Sequence, residues 1–145
     1  MDTKLKSDIA ENATIVQLLR RGFKVLKPIG DRLPYDLAID LNGKLVRIQI
    51  KSAWHRKGSY IVDNRRTRTN RKFMKRALYK KDDFEFAVLF ISELNIFYIM
   101  PIDVFLSFRS GISLVETKTR QRKPRSYPFR EAWDLLEISP SRTTL

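Results

Sequence analysis

The 145-residue chain contains no cysteine, which excludes disulfides, thiolate nucleophiles and cysteine-based zinc sites. It has a single histidine, His55, so a metal centre built on several histidines cannot be assembled within one chain. Acidic residues are scarce: 16 Asp and Glu stand against 29 Lys and Arg, for a formal net charge of +13. That balance is extreme for an enzyme of small molecules and points to a polyanionic partner, nucleic acid by default. Long apolar runs are missing as well. No stretch approaches the roughly 18 apolar residues of a membrane helix, and the opening segment MDTKLKSDIAEN has no apolar signal-peptide core. A cytoplasmic protein, neither secreted nor membrane-spanning, is the expectation.

What is present supports a folded core: 43% of residues are hydrophobic and 11% aromatic. The length suits one domain over residues 1–145 that needs no covalent staple. Its centre of organisation is Tyr35 to Lys51, YDLAIDLNGKLVRIQIK. Asn42-Gly43 lies between two alternating runs, the strongest short-range signal for a two-residue hairpin turn. With those residues as the loop, Leu41 pairs with Lys44, Ile39 with Val46 and Leu37 with Ile48. The same register sets Asp36 opposite Gln49, about 5 Å between Cβ atoms for a directly opposed pair. Alternation then gathers Asp36, Gln49 and Lys51 on one face and Leu37, Ile39, Val46, Ile48 and Ile50 on the other.

A carboxylate beside an amide oxygen suits a hard divalent cation such as Mg²⁺, and a nearby ammonium can stabilise a phosphorane-like transition state. The group is therefore a workable phosphodiester-hydrolysis site. Lysine at a strand end is more often simply solvated, but the shared face with Asp36 and the basic surroundings favour a role for Lys51.

Upstream, residues 4–21 read as an amphipathic helix with Ile9, Ala13, Val16 and Leu19 at helical spacing. Asp2, Thr3 or Ser7 is available as its N-cap and Gly22 as its stop. Glu11 lies beside the stripe. It either points to solvent, as most helical glutamates do, or aims toward the sheet. Lys24 to Pro28 reads as a short strand.

Downstream, Phe84–Ile91 and Ile96–Met100 read as two buried strands joined by Ser92–Asn95, their aromatics core rather than a base-stacking platform. Ile102–Phe108 reads as a helical turn, Gly111–Glu116 as a strand, and Pro128 opens a helix with Phe129, Trp133 and Leu136 as one apolar stripe. The expected fold class is α/β (α+β), a mixed central β-sheet flanked by helices.

The basic residues are concentrated. Between Asn64 and Lys81 stand Arg65, Arg66, Arg68, Arg71, Lys72, Lys75, Arg76, Lys80 and Lys81, with Asn64 and Asn70 interleaved and no acid. A second acid-free window carries Lys118, Arg120, Arg122, Lys123, Arg125 and Arg130. The two together hold fifteen of the 29 basic residues (nine and six), the footprint of a binding surface near 55–82 and 117–130. Arginine and asparagine read guanine and adenine edges, so base readout joins phosphate contact. The predicted DNA-contacting set is Asn64, Arg65, Arg66, Arg68, Asn70, Arg71, Lys72, Lys75, Arg76, Arg120, Arg122, Lys123 and Arg125. His55 either contacts phosphate or is an exposed loop residue with no role.

The pattern Asp36…Gln49-Ile50-Lys51 resembles the PD-(D/E)xK nuclease superfamily. The segments DIAENATIVQLLRRGF, GDRLPYDLAIDLNGKLVRIQIKSAW, VDNRRTRTNRK and VETKTRQRKPRSYPFREAW, covering most of the chain, make it similar to cyanobacterial group I intron-encoded homing endonucleases of that superfamily. The resemblance implies the PD-(D/E)xK nuclease core, cleavage of double-stranded DNA at a long target with a divalent metal (Mg²⁺ or Mn²⁺), and intron mobility. It carries catalytic roles onto Glu11, Asp36, Gln49 and Lys51, with Glu11, Asp36 and Gln49 toward the metal. Gln49 departs from the Glu or Asp of most members; a neutral amide implies weaker metal binding, while the intron-encoded branch shares it. Cutting both strands needs two active sites, so a homo-oligomer, dimer or tetramer, is expected.

Two rival functions stand beside this reading. A Holliday-junction resolvase shares the fold, chemistry and basic surface but recognises branched shape. A non-enzymatic basic nucleic-acid-binding protein explains the charge but not the Asp36, Gln49 and Lys51 cluster. Other nucleases lack their residues here: one histidine cannot furnish an HNH site, and neither a GIY…YIG pair nor a LAGLIDADG-like helix is present.

Overall fold

The computed structural model describes residues 2–69, 74–117 and 123–137. The chain opens with helix α1 (Thr3–Arg20), capped by Asp2, whose Oδ1 accepts the Leu5 N–H at 2.8 Å. Gly22, at φ +87°, turns the chain out of the helix in the left-handed region that favours glycine. The buried stripe is Ala10, Thr14 and Leu18, not the expected one: Val16 and Leu19 are exposed, and Ile9 and Ala13 lie at its margin. Small side chains at Ala10 and Thr14 let the helix approach the sheet closely. The Thr14 hydroxyl tolerates burial because it donates to Ala10 O at 2.8 Å.

The strands that follow are β1 (Lys24–Leu26), β2 (Leu37–Leu41), β3 (Lys44–Ser52), β4 (Trp54–Arg56), β5 (Ser59–Val62), β6 (Arg65–Thr69), β7 (Met74–Leu78), β8 (Phe86–Ile91), β9 (Ile96–Pro101) and, after helix α2 (Ile102–Leu106), β10 (Ile112–Leu114). The main sheet has the order β1-β2-β3-β8-β9, with β3 and β8 parallel and the other pairs antiparallel. Parallel neighbours need a long crossover, and here it consists of hairpins: β4 and β5 join β10 in a small sheet, while β6 and β7 pair with each other.

The β2–β3 hairpin has the register read from the sequence, with Leu37 opposite Ile48, Ile39 opposite Val46 and Leu41 opposite Lys44. Asn42 and Gly43 both take positive φ, 54° and 89°, as a type I′ turn requires, and Asp40 Oδ1 accepts the Gly43 N–H at 2.7 Å. Leu37, Ile39, Val46, Ile48 and Ile50 are buried under α1 together with Val88 and Phe90. On the opposite face Ala87, Leu89, Tyr98 and Met100 pack against Phe105 of α2 and Ile112 and Leu114 of β10. Every residue of β8 is buried, which is why its sequence is a continuous apolar run rather than an alternating one. Each such Leu or Ile contributes about 1.5–3 kcal/mol of burial.

The expected C-terminal helix is replaced by two short 3₁₀ turns, Tyr127–Phe129 and Trp133–Glu137. Glu131 separates them at φ +51°, and it is anchored there: its N–H donates to Phe97 O at 2.7 Å, and its carboxylate accepts Phe97 N–H and the Trp133 indole N–H, each at 2.8 Å. The supposed stripe is therefore split, with Trp133 and Leu136 in the core under α1 and Phe129 against the other cluster. No helix among the described residues is long and apolar enough to cross a membrane.

Candidate active site

The hairpin ladder ends at Leu37, so Asp36 stands one residue past it, its N–H donating to Ile48 O at 2.9 Å. Its side chain turns back along β3, where Oδ2 accepts the Ile50 N–H at 2.8 Å. Gln49 and Lys51 follow on β3, half-buried, paired with Ala87 and Leu89 of β8. Helix α1 packs on β3 and brings Glu11 to the same place. Glu11, Asp36, Gln49 and Lys51 all line one cleft of about 490 Å³. The structure thus brings together the four residues singled out in the sequence.

The electrostatics of the cleft are set first by the burial of Asp36. Burial pushes the Asp36 carboxyl from 3.8 up to about 6; the Glu11 charge adds to the rise, while the Ile50 N–H, Lys51 and Lys27 oppose it. Glu11 is paired with Lys27, Oε1 to Nζ 2.8 Å, and the pairing holds the Lys27 ammonium above its ordinary range. Gln49 Nε2 donates to Ile50 O at 3.3 Å, an assignment that leaves its amide oxygen as the atom to offer a cation. Lys51 Nζ donates to Arg65 O at 2.9 Å and lies 5.0 Å from the centre of the Tyr79 ring.

Among the described residues no three His, Cys, Asp or Glu side chains form a metal-ligating group. The oxygen set is two carboxylates and one amide, and that donor chemistry fits a hard divalent cation that keeps several waters. Asp63 and Trp54 line the same cleft and were not singled out from sequence. Asp63 is the last acid before the first acid-free window, which is the one signal that marks it. Lys27 carries no such signal, because its pairing with Glu11 joins α1 to the chain after β1.

The predicted DNA-contacting residues divide. Asn64 is corrected: it is 3% exposed, and its side chain holds the loop after α2, donating to Phe108 O at 2.7 Å and Phe105 O at 3.4 Å and accepting Gly111 N–H at 3.3 Å. A fully employed, buried amide has nothing to offer a base. Arg65 is exposed and pairs with Asp63, Nε to Oδ1 3.1 Å; Arg66 is half-buried beside it. Both lie on β6 with Arg68, whose partner across the pair is Lys75; Arg76 pairs with Thr67. Exposed Lys123 lies over the Tyr127 ring at 4.3 Å and exposed Arg125 over Phe108 at 4.0 Å. Asn70, Arg71, Lys72, Arg120 and Arg122 lie outside the described residues. His55 is exposed on β4, edge-on to Tyr60 at 5.1 Å.

A scan of curated proteins finds no match. The profile of the PD-(D/E)XK endonuclease family matches residues 1–136. Among solved structures, the bacterial homing endonuclease I-Ssp6803I superposes with a TM-score of 0.90 at 51% sequence identity, over 100% of this chain and 99% of its own. A hairpin that delivers Asp36 and Gln49-Ile50-Lys51 to one cleft, on a mixed sheet matched along nearly the whole chain, places this protein in the PD-(D/E)XK endonuclease family: it is a nuclease.

Proposed function

We propose that the protein is a site-specific homing endonuclease that hydrolyses phosphodiester bonds in double-stranded DNA with a divalent metal and so promotes group I intron mobility. The observation that carries this is the meeting of Glu11, Asp36, Gln49 and Lys51 in one cleft. Its likeness to a homing endonuclease at 51% identity supports the target class.

Glu11, Asp36 and the Gln49 amide oxygen would hold Mg²⁺ or Mn²⁺. When bound, such a cation supplies Lewis-acid polarisation of the scissile phosphate and lowers the pKa of water. Lys51 presents its ammonium to the phosphate oxygens, where negative charge grows as the fifth oxygen approaches phosphorus. Asp36, held by the Ile50 N–H, is fixed in orientation before substrate arrives, so no reorganisation is needed in the reaction. The basic β6–β7 hairpin and the 123–125 segment contact the DNA backbone and base edges. The described residues of one chain form one such cleft, so cutting two strands calls for a homo-oligomer, dimer or tetramer, with two-fold symmetry. Phe97 and Tyr98 are buried at 1% and 0% exposure and cannot supply such an interface.

The test is cleavage of linear duplexes spanning candidate intron-insertion sites, with Mg²⁺ or with EDTA, beside a scrambled duplex and a four-way junction. Mg²⁺-dependent double-strand cutting of one insertion site is expected. Junction-selective nicking would replace the homing reading with a resolvase, and tight binding without cutting would leave only a basic binding surface.

A further inference from the structure

Two of the groups against the Lys51 ammonium stand side by side at the base of one hairpin. The first is the carbonyl of Arg65, which accepts from Nζ at 2.9 Å. The second is the Tyr79 ring, 5.0 Å from Nζ. Arg65 opens β6 and is paired with Leu78, the last residue of β7; Tyr79 comes next in the chain. Both holders thus stand at the root of the basic β6–β7 hairpin.

That hairpin forms a sheet of two strands, with no third strand bracing it among the described residues. Its root joins the arm to the core. Tyr79 is 6% exposed and packs edge-on against Phe84 at 5.2 Å and near Phe105 at 6.0 Å. The Arg65 end is linked to Asp63, whose Oδ1 accepts the Arg65 N–H at 3.0 Å and its guanidinium Nε at 3.1 Å. Lysine is a flexible stem with a compact charge, so its head goes where its partners are. Here those partners ride on the DNA-facing arm.

We propose that Tyr79 and Asp63 are positioning residues that couple the seating of the β6–β7 hairpin on DNA to the placement of the Lys51 ammonium, so that target readout governs the cleavage step and not affinity alone. The proposal rests on the nuclease reading above. A hairpin resting correctly on its target leaves the root, and with it the ammonium, aimed at the scissile phosphate. A mismatched target tilts the arm, moves Arg65 O and the Tyr79 ring together, and misplaces Lys51 in DNA that is still bound. A single hydrogen bond and a single ring contact are each weak enough to be moved by such a tilt.

The experiment uses the duplex that the wild-type chain cuts, bound at saturating protein in Ca²⁺ and started with Mg²⁺, so that the cleavage rate of bound DNA is read apart from Kd. Tyr79→Leu is expected to slow cleavage of bound DNA about tenfold or more with Kd within about threefold, and Tyr79→Phe, which keeps the ring, to restore it. Asp63→Ala is expected to slow the same step, and Asp63→Asn, which keeps an acceptor oxygen, to rescue it. On duplexes with single changes under the hairpin, the wild type loses rate even at saturation, and Asp63→Ala loses that discrimination. Tyr79→Leu cutting bound DNA at the wild-type rate, or losing rate and affinity in parallel, overturns the coupling. Should Tyr79→Leu not fold, Asp63→Ala decides in the same way, since it leaves the aromatic cluster intact. A wild-type chain that cuts no duplex removes the nuclease reading itself and the coupling with it.

Discussion

Replacing Asp36 by asparagine is expected to abolish cleavage and, in the metal-free protein, to make the fold more stable above neutral pH. Burial is the leading cause that lifts the carboxyl from 3.8 to about 6, with Glu11 adding to it. Unfolding returns the group to its ordinary value, so the folded chain holds the proton more tightly than the unfolded one. The stability this gives is complete below the unfolded pKa and is lost as pH rises through about 6. A difference of roughly two units at about 1.4 kcal/mol each sets a ceiling of about 3 kcal/mol on the cost of keeping the charge at pH 8. Asparagine avoids that cost, since it is neutral, close in shape, and keeps an oxygen for the Ile50 N–H at the position of Oδ2. Urea unfolding in EDTA is expected to show Asp36→Asn more stable than wild type by about 1–3 kcal/mol near pH 8, with the difference closing near pH 4. Mg²⁺ should then raise the stability of the wild type and leave Asp36→Asn nearly unchanged. A variant less stable at pH 8, or a gain that persists at pH 4, would refute the reasoning and make Asp36 a plain hydrogen-bond acceptor.

Gln49→Glu adds a charged oxygen to the cleft, and the Mg²⁺ concentration for half-maximal cleavage should fall about tenfold; an unaltered metal dependence would remove residue 49 from the metal. Asn64→Ala strands the Phe108 and Phe105 carbonyls and the Gly111 N–H. Its cost should be about 2–4 kcal/mol by urea unfolding, while the preference among duplex sequences, measured below the melting range, stays as in wild type.

The hairpin was legible because its determinants are local. Asn42-Gly43 sets the turn, the turn sets the register, and the register of 37 against 48 carries Asp36 and Gln49-Ile50-Lys51 to one end. The helix and the β8–β9 pair were equally plain, but the side of α1 that faces the sheet was not. Apolar spacing favoured Val16 and Leu19, whereas close approach favoured the small Ala10 and Thr14, and close approach won. Asn64 misled for another reason. It stands at the edge of a basic run and looks like part of it, yet its partners are 41 to 47 residues away, in α2 and the loop after it, whose position no local pattern reveals. The C-terminal helix failed at Glu131, where contacts to Phe97 and Trp133 outweigh propensity. Lys57-Gly58, with φ 46° and 80°, closes the β4–β5 hairpin in the same manner as Asn42-Gly43 and was missed because lysine is a poor marker of a positive φ.

The central claim is that the cleft of Glu11, Asp36, Gln49 and Lys51 performs the cleavage while DNA is gripped elsewhere. Its most direct test is to form the complex with an insertion-site duplex in Ca²⁺, add Mg²⁺, and compare wild type with Lys51→Ala for both the cleavage rate and Kd. The account predicts a fall in rate of about 10²-fold or more with Kd within about threefold. Cleavage by Lys51→Ala at the wild-type rate would contradict it, and rate and affinity falling together would assign Lys51 to binding or folding instead.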